Sequence, residues 1–404
     1  MKILFSSLNT FGFINPLIGL AKHLRSLTHE VAFVCDPSFT AHLQRQGLDR
    51  IPQGDEESAC FLVERFTSPA LNENQINYLE SALTVFPADV LVTSPLALGP
   101  LIVAERNALP VAVMGFMSYL WSTPTQEANT GEDMRLLYDW RTSEMMEHLN
   151  KSRLHLGLAK LELDKEHLPF VGDLWLQRCT PSMAKRQCDF PKQVTMVGAC
   201  LWPNAANAEA NPEFELWLNA QDAELPLIYV SHGRTFQQPK FWDELKQAFR
   251  DKPCLVVASV DRMECEVGAL PNNFYVDNYL AQSAVLPRTS LVIANGNSTV
   301  TLGALEQGIP MLLIPSGAET VDNAALCQQL GVAERMQSDL VDSYSIWQIA
   351  SELMSGEQYK HQSERYAKDL AQLNGFESAA NAVLELAASR AQGGSNRQDL
   401  SVTS

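Results

Sequence analysis

Short apolar runs alternate with segments of helical period, and the alternation occurs twice along the chain. This pattern constrains the fold more than any other feature of the sequence. KILFSS (2–7) precedes a helical stretch expected to start near Pro16 and run to residue 27. HEVAFVCD (29–36) precedes FTAHLQRQG, ADVLVTS (88–94) precedes LGPLIVAERNA, and PVAVMG (110–115) follows. The runs are apolar throughout rather than alternately polar, so both faces of each strand are buried, as in a parallel sheet covered by helices on each side. A charged, helical region over roughly 131–168 leads to DLWLQRCTPSM and QVTMVGA (193–199). The alternation restarts with LPLIYVSHG (225–233), PCLVVASV, NFYVDNYL, TSLVIAN and PMLLIPS (310–316). The fold class is therefore α/β, with two doubly wound domains in tandem.

The stretch LWPNAANAEANPEF (201–214) has no periodicity and is rich in Asn, Ala and Pro, which marks a linker. The expected organisation is a first domain at 1–203, a linker at 204–225 and a second domain at 226–388. The last helix of the second domain is free to pack back on the first. Residues 389–404, Gly- and Ser-rich, are expected to be disordered.

A net charge of −17 over 404 residues argues against nucleic acid or an anionic membrane as the main partner. The eight cysteines include no C-x-x-C pair, so neither a zinc site nor a disulfide framework is expected, and reduced thiols in a cytoplasmic protein fit better. The opening MKILFSSLNTF turns polar too early for a signal peptide, and no run of about 18 apolar residues suggests a transmembrane helix.

The stretch LVIANGNSTVTLGALEQGIP (291–310) carries the most chemistry. A strand ends at Ala294, Asn295–Thr299 turn the chain, and a helix begins near Ser298. Unpaired N–H groups at that helix start, a glycine at 296 and polar side chains suit a diphosphate. A plain Ser298 N-cap explains the same residue types.

Residues 279–323, YLAQSAVLPRTSLVIANGNSTVTLGALEQGIPMLLIPSGAETVDN, resemble the donor-binding signature of GT-B glycosyltransferases. The likeness is to the family 1 enzymes, which include bacterial antibiotic glycosyltransferases and UDP-glucuronosyl/glucosyltransferases. FGFINPLIGLAKHL (11–24), CTPSMAKRQCDFPKQVTMVGA (179–199) and YVSHGRTF (229–236) resemble other segments of the family in the same order. The resemblance implies two Rossmann-like domains facing across a cleft. A UDP- or dTDP-sugar would lie on the second domain and a small, largely apolar acceptor on the first, with inverting transfer, no metal and no bound cofactor. A homodimer or a partner enzyme is compatible with it.

By the same resemblance, Tyr279, Leu280 and Gln282 hold the nucleobase. Asn295, Gly296, Asn297, Ser298 and Thr299 hold the diphosphate, with Arg234 and Thr235 opposite. Glu319 and Thr320 replace an acidic–Gln pair that grips sugar hydroxyls, and Gly303 stands where some members place a ribose-binding Glu. Phe11, Gly12, Phe13, Ser94 and Met117 would line the acceptor site. Phe13 occupies the position of the family's catalytic His, and Ser94 that of the Asp that orients it. The base is therefore unassigned. His232 and Glu319 are candidates, and His23 is read as a solvated helix residue. Alternatively, the acceptor arrives already ionised, or the protein binds ligand without catalysing transfer.

Overall fold

The computed structural model describes residues 1–404 except 54–57, 117–131, 165, 185–189, 204–210, 232–238, 261–266, 318 and 399–404. The chain divides into two compact units, Met1–Trp202 together with Leu373–Ser404, and Pro203–Gln372. No helix among the described residues is long and apolar enough to cross a membrane.

The first unit is built on β1 (Lys2–Ser7), β2 (Glu30–Cys35), β3 (Val90–Thr93), β4 (Val111–Gly115), β5 (Leu174–Gln177) and β6 (Val194–Met196). They form a sheet in the order β2-β1-β3-β4-β5-β6, parallel at every pair. Ile3 and Phe5 join one core with Leu17, Ile18 and Leu24, while Leu4 joins another with Ile76, Leu98 and Ile102. Alternate residues of one strand thus enter two different cores, which is why the run is apolar throughout. The order reverses between β1 and β3, and such a switch point opens a crevice at the carboxyl ends of the two strands.

The second unit carries β7 (Leu227–Ser231), β8 (Leu255–Ser259), β9 (Phe274–Asp277), β10 (Thr289–Ala294), β11 (Met311–Leu313) and β12 (Ala333–Arg335). The order β12-β11-β10-β7-β8-β9 is again parallel and reverses between β7 and β10. This is the strand order of a dinucleotide-binding sheet.

The helix expected near Pro16 starts five residues earlier and spans Phe11–Ser26. Proline in its second turn removes only the bond that Gly12 C=O would accept, a loss this long, well-buried helix tolerates. A helix at Pro212–Asn219 lies within the expected linker, capped by Asn211, whose side chain accepts from Phe214 N at 2.9 Å.

The second unit ends at Gln372 rather than at 388. The last helix, Gly375–Gln398, continues through most of the tail expected to be disordered. Ala379, Ala380 and Val383 on this helix enter the core formed by Leu17 and Ile18. Phe376 seats on Gly19, where any Cβ would overlap its ring. Arg390 pairs with Asp173 at 2.7 Å, and the other Asp173 oxygen accepts from Val111 N at 2.9 Å.

Candidate functional site

At the switch point of the second sheet, β10 ends in a turn built by two asparagines and a glycine. Asn295, 6% exposed, accepts through Oδ1 from both the backbone N–H and the side-chain amide of Asn297, each at 3.0 Å. Gly296 has φ +87°, the left-handed region that favours glycine, and a Cβ there would sit 2.8 Å from the Thr320 carbonyl oxygen. The buried Asn323 donates from Nδ2 to the Gly296 carbonyl at 3.0 Å, fixing the orientation of that peptide.

The helix Ser298–Glu306 follows, and its cap is Asn297 rather than Ser298. The Asn297 Oδ1 accepts from Val300 N at 3.1 Å, and its carbonyl accepts from Thr301 N at 3.1 Å. Two N–H groups of the first turn, those of Ser298 and Thr299, therefore have no acceptor within the helix. No acidic side chain stands in that turn to neutralise the positive end of the helix dipole. The compact turn, the first-turn N–H groups and the helix start without an acidic side chain suit an anion chemically.

The helix Glu319–Gln329 presents the opposite charge, with Glu319 and Asp322 in its first turn. Its start favours hydroxyl donors over anions. Thr320 is committed elsewhere, because its hydroxyl donates to the Gly317 carbonyl at 2.6 Å and accepts from Ser316 N at 3.4 Å. The Thr320 hydroxyl thus helps close the turn with its single proton and keeps one lone pair with which it can accept from a hydroxyl.

The expected nucleobase segment lies at the end of β9. Tyr279 is 54% exposed, whereas Leu280 is buried and donates its N–H to Ser259 Oγ at 3.4 Å. Gln282 opens the helix Gln282–Val285, and its Oε1 lies 3.7 Å from the Cβ position of Gly303. A Cβ at Gly303 would lie 2.7 Å from Leu286 Cδ1, so that side chain would have to shift to admit one.

At the switch point of the first sheet, Ser94 is fully buried and accepts from Leu8 N at 3.1 Å. Phe13 lies in the first helical turn, not in a loop, and is half-buried beside Gly12. Phe11 is exposed and packs edge-on against Phe39 at 5.3 Å and His42 at 5.2 Å. His42 pairs with Asn15 Oδ1 at 3.0 Å. Residues 11 and 15 share one helix face and residue 13 points the other way, so His42 does not stand in for a base at Phe13. His23 is ten residues along the same helix, about 15 Å away by its rise. His232, Arg234, Thr235 and Met117 lie outside the described residues.

Two residues of this region carry no local sequence signal: Asn323 and Ser259. Each acts on a partner distant in the chain, and only the pairing of strand ends brings them together.

Comparison with known proteins agrees with the fold. Residues 247–383 match the family described as Erythromycin biosynthesis protein CIII-like, C-terminal domain. The 4'-demethylrebeccamycin synthase of Lentzea aerocolonigenes is 24% identical over 365 residues, covering 80% of this chain and 85% of that protein. The crystal structure of the kitacinnamycin glycotransferase superposes with a TM-score of 0.76 at 19% identity, covering 95% of this chain and 98% of that one. The spinosyn rhamnosyltransferase SpnG, complexed with thymidine diphosphate, superposes with a TM-score of 0.70 at 19% identity, covering 95% and 100%. The chain therefore has the two-domain GT-B fold of these glycosyltransferase structures, and its residues 247–383 resemble the Erythromycin biosynthesis protein CIII-like C-terminal domain.

Proposed function

We propose that the protein transfers a sugar from a nucleoside-diphospho-sugar to a small, largely apolar acceptor, inverting the anomeric configuration. The observation that carries this reading is the Asn295–Thr299 turn, with its left-handed Gly296 and the open start of the helix Ser298–Glu306. Diphosphate oxygens would accept from the Ser298 and Thr299 N–H groups, and Glu319 would accept from sugar hydroxyls. The acceptor oxygen, arriving already ionised or releasing its proton to water, attacks the anomeric carbon opposite the diphosphate. The bond from carbon to phosphate oxygen breaks, and its electron pair leaves on the nucleoside diphosphate. The helix dipole stabilises that developing charge, which is electrostatic work a metal performs in other transferases. Arg234 is proposed to add to it, and Thr235 to lie beside it. A thymidine diphosphate in a structural neighbour supports dTDP- or UDP-sugars as the donors to try first.

Phe13 and the engaged Ser94 favour a second reading, a binding or accessory protein without transfer of its own. Thermal shift with dTDP and UDP, followed by donor hydrolysis and acceptor assays, separates the two. Stabilisation with turnover supports the transferase. Stabilisation without turnover on any acceptor supports the accessory role, and no response to either nucleotide removes both.

A further inference from the structure

The crevice at the switch point of the first sheet is floored by hydroxyls. Ser6 and Thr93 pair in register across β1 and β3, 2% and 0% exposed, and neither hydroxyl has a hydrogen-bond partner. Ser94, equally buried, accepts from Leu8 N at 3.1 Å, and its own proton has no acceptor among the described residues. Leu8 leads through a tight turn, its carbonyl accepting from Thr10 N at 2.9 Å, into the helix Phe11–Ser26. The N–H groups of Phe11 and Gly12 at that helix start have no acceptor among the described residues. Neither this helix nor the helix Leu98–Arg106, which follows β3, has an acidic side chain in its first turn. Asp36 lies on the far side of β1, at the end of β2; one of its oxygens accepts from Ser38 N at 2.8 Å and the other has no partner. Unused donors between two positive helix ends suit an anion.

We infer that this crevice takes a carboxylate of the acceptor, so that the protein glycosylates carboxylic acids and forms glycosyl esters. The inference rests on the transferase reading above and names its acceptor class. By the family resemblance, Phe13 and Ser94 stand where a His and an Asp would. Both changes suit an anionic nucleophile: no base is needed, and a carboxylate that would repel it is replaced by a neutral donor. A hydroxyl acceptor loses about 10²–10⁴-fold without a positioned base. A carboxylic acid, with a pKa of about 4, is ionised before it binds. One carboxylate oxygen accepts from the Phe11 and Gly12 N–H groups and from the Ser94 hydroxyl. The other attacks the anomeric carbon, the bond from that carbon to the phosphate oxygen breaks, and the electron pair leaves on the nucleoside diphosphate. No proton moves, and the acceptor's negative charge ends on the diphosphate. The half-buried Phe13 offers apolar surface to the body of the acid.

The test is transfer by the full chain from dTDP- and UDP-hexoses to naphthoic acid and to naphthalenemethanol, then to a panel of aromatic and aliphatic acids paired with their matching alcohols. The expected result is a kcat/KM for the acid about 10²-fold above that for its alcohol at neutral pH. The product should be cleaved by hydroxylamine, as an ester is. Ser94→Asp keeps an acceptor for Leu8 N and adds a like charge. It should cut transfer to the acid at least about 10-fold and leave the dTDP Kd unchanged. Ser94→Thr, which keeps the hydroxyl, should retain transfer. Alcohols used as well as or better than acids overturn the inference and leave the transferase reading standing. A folded Ser94→Asp variant with wild-type transfer to the acid also overturns it. No transfer to any acceptor, with either nucleotide still bound, removes the inference and the transferase reading together.

Discussion

The Leu8 backbone amide donates to the Ser94 hydroxyl at 3.1 Å, which joins the end of β3 to the loop leading into the first helix. Removing that hydroxyl in Ser94→Ala leaves a buried N–H without a partner. The expected loss is about 1–2 kcal/mol of stability by equilibrium denaturation. Ser94→Asp keeps an acceptor at the same place. Combined with Phe13→His, it rebuilds a base and its orienter, and transfer to hydroxyl acceptors is expected to rise about 10²-fold or more. A double variant that folds, binds nucleotide and gains nothing would show that proton removal does not limit this site.

Asn323→Ala strips the Gly296 carbonyl of its donor. Affinity for both dTDP and pyrophosphate is expected to fall roughly 10-fold, as for a buried hydrogen bond lost beside a charge. Gly296→Ala forces a side chain into a left-handed conformation and against the Thr320 carbonyl, and costs about 1–3 kcal/mol. Titration calorimetry and denaturation read the two effects separately. Wild-type affinity in Asn323→Ala would remove this residue from the site.

Gly19→Ala pushes a methyl group into the Phe376 ring. Overpacking of this kind is expected to cost about 1–3 kcal/mol despite the better helix propensity of alanine. Phe376→Ala is destabilising by itself, but the double variant should lose less than the sum, because the clash is gone. Additive losses in denaturant would mean that the two residues do not share a contact.

The Tyr229 phenol is pushed up to about 12, first by burial, from an ordinary value of 10.0. The folded protein holds this proton more tightly than the unfolded chain does. The associated stability is whole below pH 10 and is lost as the pH rises towards 12, on the order of 2–3 kcal/mol in all. Burial moves the Cys327 thiol in the same direction, up to about 12. Denaturation between pH 8 and 11 should give a flatter pH dependence for Tyr229→Phe than for wild type, and parallel curves would contradict the assignment.

The core strands were legible because both of their faces are apolar, a pattern few other structures produce. Strand β12 was not, since Ala333–Arg335 is three residues long at a sheet edge and carries Glu334 and Arg335. The helix Pro69–Val85 also left no clear mark, because its buried face includes Asn72 and Gln75, both hydrogen-bonded inside. Pro16 misled the reading of the first helix, since a proline is common at a helix start but tolerated one turn later. At the Asn295–Thr299 turn the residue types were readable, yet the choice of Asn297 over Ser298 as cap depends on the turn that Asn295 closes. The link from Asn323 to Gly296 spans 27 positions of the sequence and follows from sheet order alone.

The first unit is discontinuous in sequence, with the whole of the second inserted between Trp202 and Leu373. During synthesis, the hydrophobic face of the first helix waits for Ala379, Ala380 and Val383, which leave the ribosome only after residues 203–372 have been made. The second unit is a single uninterrupted stretch and is the natural piece to excise. Expressing residues 1–202 alone would leave a greasy scar where the terminal helix belongs.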